Sequence, residues 1–165
     1  MRILLTGMSG SGKSTLIEAL AERGHRAVDL DDPEWSEYRL LGAGEVPPGI
    51  EPGRDWVWRD EHVAALLRST GDEALFVAGC ASNQGRFHSE FDHVVLLTPP
   101  AQVTLERLAA RTTNPFGKDP DERAKILADK TNVEPMLRAA ADLVIETAEP
   151  IETTVQRMLE LLASG

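Results

Sequence analysis

Residues 7–14 read Gly-Met-Ser-Gly-Ser-Gly-Lys-Ser, a G-x-x-x-x-G-K-[ST] segment placed close to the start of the chain. Before it, Arg2-Ile3-Leu4-Leu5-Thr6 is a short apolar run that reads as a buried strand. After it, residues 14–23 carry the apolar spacing of a helix that Gly24 ends. Strand, glycine-rich turn and helix in that order constrain the chain to an α/β fold with the turn at its first crossover. The glycines let the backbone curl so that N–H groups point inward at a phosphate, and the helix N-terminus adds partial positive charge. Gly7, Ser9, Gly10, Ser11, Gly12, Lys13, Ser14 and Thr15 are therefore the expected binders of a nucleoside triphosphate. Lys13 would reach the β/γ oxygens, and the Ser14 hydroxyl would sit on a magnesium ion. A Gly/Ser-rich turn that matches by accident is the competing reading, and the flanking strand and helix argue against it.

Further apolar runs at residues 25–30, 74–78, 93–97 and 143–145 alternate with helical stretches. The spacing predicts helices over about 55–69, 101–111, 118–129, 134–140 and from Pro150 to about 162. The strand runs are continuous rather than alternating, which marks strands covered on both faces. The expected architecture is a three-layer α/β/α sandwich with a five-stranded parallel sheet, in one domain over residues 1–165. Two segments break the pattern: the Gly/Pro-rich residues 41–53, and residues 112–118. Such segments are usually lids or binding loops. A substrate-binding insertion is expected over about 33–70 and a lid, which would exclude water from a phosphoryl transfer, over about 111–125.

At 165 residues with 42% apolar content the chain can bury one core. Its net charge of −10 argues against a broad nucleic-acid surface, while leaving room for a small basic pocket. A single cysteine, Cys80, allows no internal disulfide, and the four histidines show no metal-ligand spacing. No apolar run approaches membrane-span length and no leader is evident, so a cytoplasmic protein, a monomer or weak dimer, is expected.

The carboxylates expected near the phosphates do not end the third strand, which runs out in Ala78-Gly79-Cys80, and there is no guanine-reading Asn/Thr-Lys-x-Asp. They lie instead at the end of the second strand, in Asp29-Leu30-Asp31-Asp32. Alternate residues of a strand share a face, so Asp29 and Asp31 should both point out beside the phosphate loop. There a carboxylate can hold a magnesium-bound water or accept a proton from an attacking hydroxyl. Asp32, before Pro33, reads as the cap of a helix starting at Pro33-Glu34.

Most of the chain resembles the small-molecule kinases of the shikimate kinase and gluconate kinase type, relatives of the nucleoside monophosphate kinases. The phosphate loop, Asp29-x-Asp31, Trp58-Arg59-Asp60-Glu61, and Leu137-Arg138 followed by residues 141–147 carry the resemblance. It implies that Asp29, with Ser14, binds magnesium, that Asp31 meets the acceptor hydroxyl, and that Arg59 and Arg138 bind an anionic acceptor. It also implies that Arg107 and Arg111, closing the helix after the fourth strand, serve the nucleotide, an arginine there stacking on adenine or neutralising the moving phosphoryl group; as plain helix-terminal cations they would need no such role. Shikimate kinases carry three glycines after strand 3, where this chain has Gly79-Cys80-Ala81-Ser82-Asn83-Gln84-Gly85, which argues against shikimate itself. Asn83 and Gln84 are candidate acceptor contacts or ordinary turn formers. Trp58 reads as core, while Trp35 or Trp56 could stack on a planar substrate.

The expected activity is transfer of the γ-phosphoryl group of MgATP to a hydroxyl or phosphate of a small, anionic acceptor, with Lys13, Asp31 and Arg111 catalytic. A regulatory ATPase acting through a protein partner is the alternative, and a kinase of nucleic-acid ends a third, disfavoured by the acidic charge.

Overall fold

The computed structural model describes residues 1–40, 54–69, 71, 73–110, 112 and 119–164. Along the chain these form β1 (Arg2–Thr6), α1 (Lys13–Glu22), β2 (Arg26–Asp29), β3 (Ser36–Leu40), β4 (Arg54–Trp58), α2 (Asp60–Arg68) and β5 (Leu75–Ala78). A 3-10 turn (Gln84–Glu90), β6 (His93–Leu97), α3 (Ala101–Ala110), α4 (Pro120–Ala140), β7 (Leu143–Ile145) and α5 (Ile151–Ala163) follow. Ile3, Leu4 and Leu5 are all fully buried, because successive side chains of β1 enter two different cores. Ile3 and Leu5 join Leu16 and Leu20 of α1 and Met158 of α5; Leu4 joins Trp58, Val63 and Leu67 with Phe87. That double coverage is what the unbroken apolar strand runs imply.

The central sheet has the order β2-β5-β1-β6-β7, and every pairing in it is parallel. With helices on both faces this is the expected α/β/α sandwich around a five-stranded parallel sheet. The order reverses at β1, so the crevice at the carboxyl ends of β1 and β5 is where such sheets take ligands. The phosphate loop leaves β1 at that crevice.

Three local expectations are corrected. The helix expected to begin at about Asp55 begins at Asp60; Trp56 and Trp58 lie instead in β4, which pairs antiparallel with β3 in a separate hairpin. The two helices expected at 118–129 and 134–140 are one helix, α4, that runs through Pro135. Lys130 and Arg138 both ion-pair with Glu134, tying the turns on either side of the proline together. No helix begins at Pro33: Asp32 closes a turn in which its carbonyl accepts the N–H groups of Trp35 and Ser36, each at 3.0 Å. Asp32 is thus a turn former rather than a cap. Of the expected lid, residues 120–125 open α4, capped by Asp119, whose carboxylate accepts the Asp121 N–H at 2.8 Å. Arg111 and residues 113–118 lie outside the described residues, as do residues 41–53. No helix among the described residues is long and apolar enough to cross a membrane.

Candidate functional site

The phosphate loop is held from three directions. Gly7 sits at φ 151°, and a Cβ there would stand 2.4 Å from the Leu97 carbonyl at the end of β6, closer than any side chain tolerates. Only glycine lets the loop leave β1 so tightly against its neighbour. On the far side the Thr147 hydroxyl donates to the Ser11 carbonyl at 2.9 Å, and the Arg107 guanidinium bonds Ser11 O, Thr147 Oγ1 and Thr147 O together. Gly7→Ala is accordingly expected to destabilise the protein by at least about 2 kcal/mol, from backbone strain plus the contact with Leu97, and urea unfolding checks it.

Helix α1 then starts with no side-chain cap and no acidic residue in its first turn, so the amides there are left for an anion. The Ser11 hydroxyl is buried without a hydrogen-bond partner among the described residues. Ser9 is half-buried in the loop, and Ser14 and Thr15 are exposed on the first turn of α1. Lys13 is only 8% exposed; its ammonium donates to the Gly7 carbonyl at 2.8 Å and lies 3.7 Å from an Asp31 oxygen. Lys13 is therefore folded back over the cradle that phosphates would fill.

The expected carboxylates do stand at the mouth of this loop. Asp29 accepts the Ser14 hydroxyl at 2.6 Å and the Asp31 N–H at 3.0 Å, which brings the two expected magnesium partners together. Asp31 accepts the Cys80 N–H at 3.2 Å and a hydrogen bond from the Trp56 side chain. Burial pushes the Asp31 carboxyl above its ordinary range, and the charge of Asp29 adds to this. Lys13, the Cys80 amide and Trp56 pull the other way without cancelling it. Burial likewise raises the Cys80 thiol, so the cysteine beside the site is protonated at neutral pH. A serine hydroxyl and carboxylates are hard oxygen donors of the kind magnesium takes, one or two from protein and the rest from water and phosphates.

The arginines are placed less as expected. Arg107 acts as a strap between the loop and the segment after β7, with its three acceptors all on the protein. Arg107→Ala is expected to weaken MgATP binding by roughly tenfold through a loosened loop, as a nucleotide titration would show. Arg59 and Arg138 do not meet at Asp31. Arg59 pairs with Glu37 of β3 at 2.7 Å, and Arg138 pairs with Glu134 of α4 at 3.3 Å. Alternation along β4 explains the first: Trp56 points to Asp31, so its neighbours in β4, and Arg59 with them, face the other way.

Asn83 and Gln84 are taken up by structure. Asn83 accepts the Trp58 N–H at 2.8 Å and donates to the Trp58 carbonyl at 2.9 Å, while Gln84 accepts the Thr6 hydroxyl at 3.0 Å. Trp58 is core, as expected, and lies on Gly79, where a Cβ would stand 3.1 Å from its ring. Thr147 is the site residue that sequence reasoning missed, because its role depends on a partner far off in sequence; Trp56, expected as a platform for a planar substrate, instead donates a hydrogen bond to Asp31.

Comparison with known proteins follows the same line. The chain is 30% identical over 159 residues to a nucleotide-binding protein of Rhodospirillum centenum, a match that takes in 95% of this chain but only 43% of the relative's length. It is 27% identical over 172 residues to a shikimate kinase of Neisseria meningitidis serogroup C, covering 98% of this chain and 96% of that one. In fold it superposes on shikimate kinase from Acinetobacter baumannii in complex with shikimate, with a TM-score of 0.64 at 23% identity, over 99% of this chain and 93% of that one. A family model described as an AAA domain matches residues 3–128, and with its phosphate loop at the first crossover of a five-stranded parallel sheet the chain belongs to that P-loop family.

Proposed function

We propose that this protein is an ATP-dependent phosphotransferase acting on a small polar acceptor. The observation that carries the reading is the position of the Asp31 carboxylate, 3.7 Å from the Lys13 ammonium at the mouth of the phosphate loop. A structural acid would gain little there; a base that must face both the γ-phosphoryl group and an incoming hydroxyl belongs there. The full-length likeness to a named shikimate kinase supports the same class of chemistry.

In this proposal the loop amides and the first turn of α1 bind the phosphates, and Lys13 swings from the Gly7 carbonyl to the β/γ oxygens. Ser14 and Asp29 would hold magnesium, which when bound neutralises phosphate charge. The acceptor oxygen attacks the γ-phosphorus as the bond to the ADP oxygen breaks, and the hydroxyl proton passes to Asp31. Trp56 and the Cys80 amide, which both bond Asp31, would border the acceptor among the described residues, rather than Arg59 and Arg138. For Arg111, outside the described residues, a role toward the transferring group rests on the resemblance alone.

ADP release from MgATP, measured with hydroxy acids, sugars, nucleosides and nucleoside monophosphates, tests this. Strong stimulation by one class with a phosphorylated product by mass spectrometry is the expected result. Slow turnover that no acceptor changes would instead favour a partner-regulated ATPase, a reading to which the separation of Arg59 and Arg138 from Asp31 lends weight.

A further inference from the structure

Behind the hairpin, away from the phosphate loop, lies a cleft of about 570 Å³ between β3–β4 and the segment after β5. No residue of the phosphate loop lines it, nor does Asp31. Its size is within the range of small-ligand sites.

The charges of its walls are arranged unequally. Arg59 pairs with Glu37 at 2.7 Å and Arg86 with Asp60 at 2.8 Å, so four of the six charged groups satisfy one another. Asp55 and Arg39 remain. Asp55 is 3% exposed; one carboxylate oxygen accepts the Ser82 hydroxyl, and the other, Oδ1, is buried with no hydrogen-bond partner among the described residues. Buried acceptors are rarely left unmet, and a carboxylate oxygen least of all. Arg39 is the direct cross-strand partner of Asp55 and is exposed at the rim. Paired residues of an antiparallel ladder put their side chains on one face, about 5 Å apart at Cβ.

From this juxtaposition we infer that the outer face of the hairpin is a second ligand site. It takes a small molecule that offers an N–H or O–H donor to Asp55 Oδ1 and, a few bonds away, a carboxylate or phosphate to Arg39. Amino acids and hydroxy acids both have that chemistry. The site is separate from the transfer chemistry, because Trp56 places Asp31 on the opposite face of β4.

Calorimetric titration of the whole chain with L-serine and with glycerate, against ethanolamine and acetate as single-group controls, tests it and distinguishes an ammonium from a hydroxyl donor. The expected result is binding of at least one two-group probe roughly tenfold or more tighter than either control. Asp55→Asn and Arg39→Gln should each remove that margin while MgATP affinity is unchanged; the second variant lies at an exposed position and tests the site even if the first disturbs packing. No binding of any probe at about 10 mM, or equal binding by the controls, would overturn the inference. So would variants that bind as wild type, or conversion of the bound probe to a phosphorylated product. Absent, equal or variant-insensitive binding leaves nucleotide binding untouched, and a phosphorylated probe would support the phosphotransferase reading while assigning the probe to the transfer site, so failure here is distinct from failure of that reading.

Discussion

Lys13→Met should cut phosphotransfer by at least about a hundredfold and weaken MgATP binding, because it removes the one cation of the phosphate loop while keeping the length of the side chain. The geometry adds a second, more specific expectation. Lys13 is the largest influence that holds down the pKa of Asp31, whose burial otherwise raises it. Without the ammonium 3.7 Å away, the carboxyl should titrate at still higher pH. Whatever activity remains should therefore show an acid limb displaced upward relative to wild type. Steady-state ADP release across pH, with a nucleotide titration beside it, reads both effects. Wild-type turnover in this variant would end the phosphotransferase reading. Lost turnover with an unmoved acid limb would mean that Asp31 is not the titrating base.

The central sheet was legible because its signals are local. Leu4 and its neighbours in β1 are apolar on both sides of the strand, and Gly-x-x-x-x-Gly-Lys-Ser permits few backbone paths. The hairpin was not legible, because half of its evidence lies elsewhere in the chain. Trp56, Val57 and Trp58 run straight into Val63, Leu66 and Leu67, and the combined spacing imitates one long helix. What makes residues 54–58 a strand is pairing with residues 36–40, across residues 41–53, and β3 itself has no apolar signature: after Ser36 its residues are all exposed. The break expected between residues 129 and 134 is also absent: α4 runs through it and past Pro135, and the Glu134 pairs with Lys130 and Arg138 fasten the turns around the proline.

The site divides in the same way. Ser14, Asp29, Lys13 and Asp31 were readable because the loop and the strand-end carboxylates are set by the crossover alone, and they come together within hydrogen-bond or ion-pair reach. Arg59 and Arg138 rested on the resemblance, and their directions depend on elements that this chain builds differently. A strand at 54–58 instead of a helix turns Arg59 toward Glu37. Arg107 shows a further limit: its residue type suggested a phosphate partner, but its hydrogen bonds go to the loop backbone and to Thr147, so it shapes the cradle without filling it. The Asp55 oxygen was invisible in the sequence altogether, since its significance lies in having no partner.

Asp31→Asn should lower turnover by at least about a hundredfold while leaving MgATP affinity nearly unchanged, and it should also make the protein more stable at neutral pH. The two effects share one cause. Burial raises the folded-state pKa of Asp31 above its unfolded value, so folding favours the protonated acid. The stability this group contributes is full below the unfolded pKa and is lost as pH rises through the folded one. At neutral pH the wild-type protein therefore holds a carboxylate that its surroundings disfavour. Asparagine removes that charge and keeps an oxygen for the Cys80 N–H. The variant gives up the ion pair with Lys13, but burial outweighs that attraction at this site. Thermal unfolding at about pH 8 should show the variant melting above wild type, with the difference shrinking toward about pH 4 as the wild-type carboxyl takes up its proton. A variant that melts below wild type at both pH values yet keeps its turnover would make Asp31 a structural partner of Lys13. A variant that gains stability and loses turnover would show that the chain tolerates a disfavoured charge at the mouth of its phosphate loop because the reaction needs a base there.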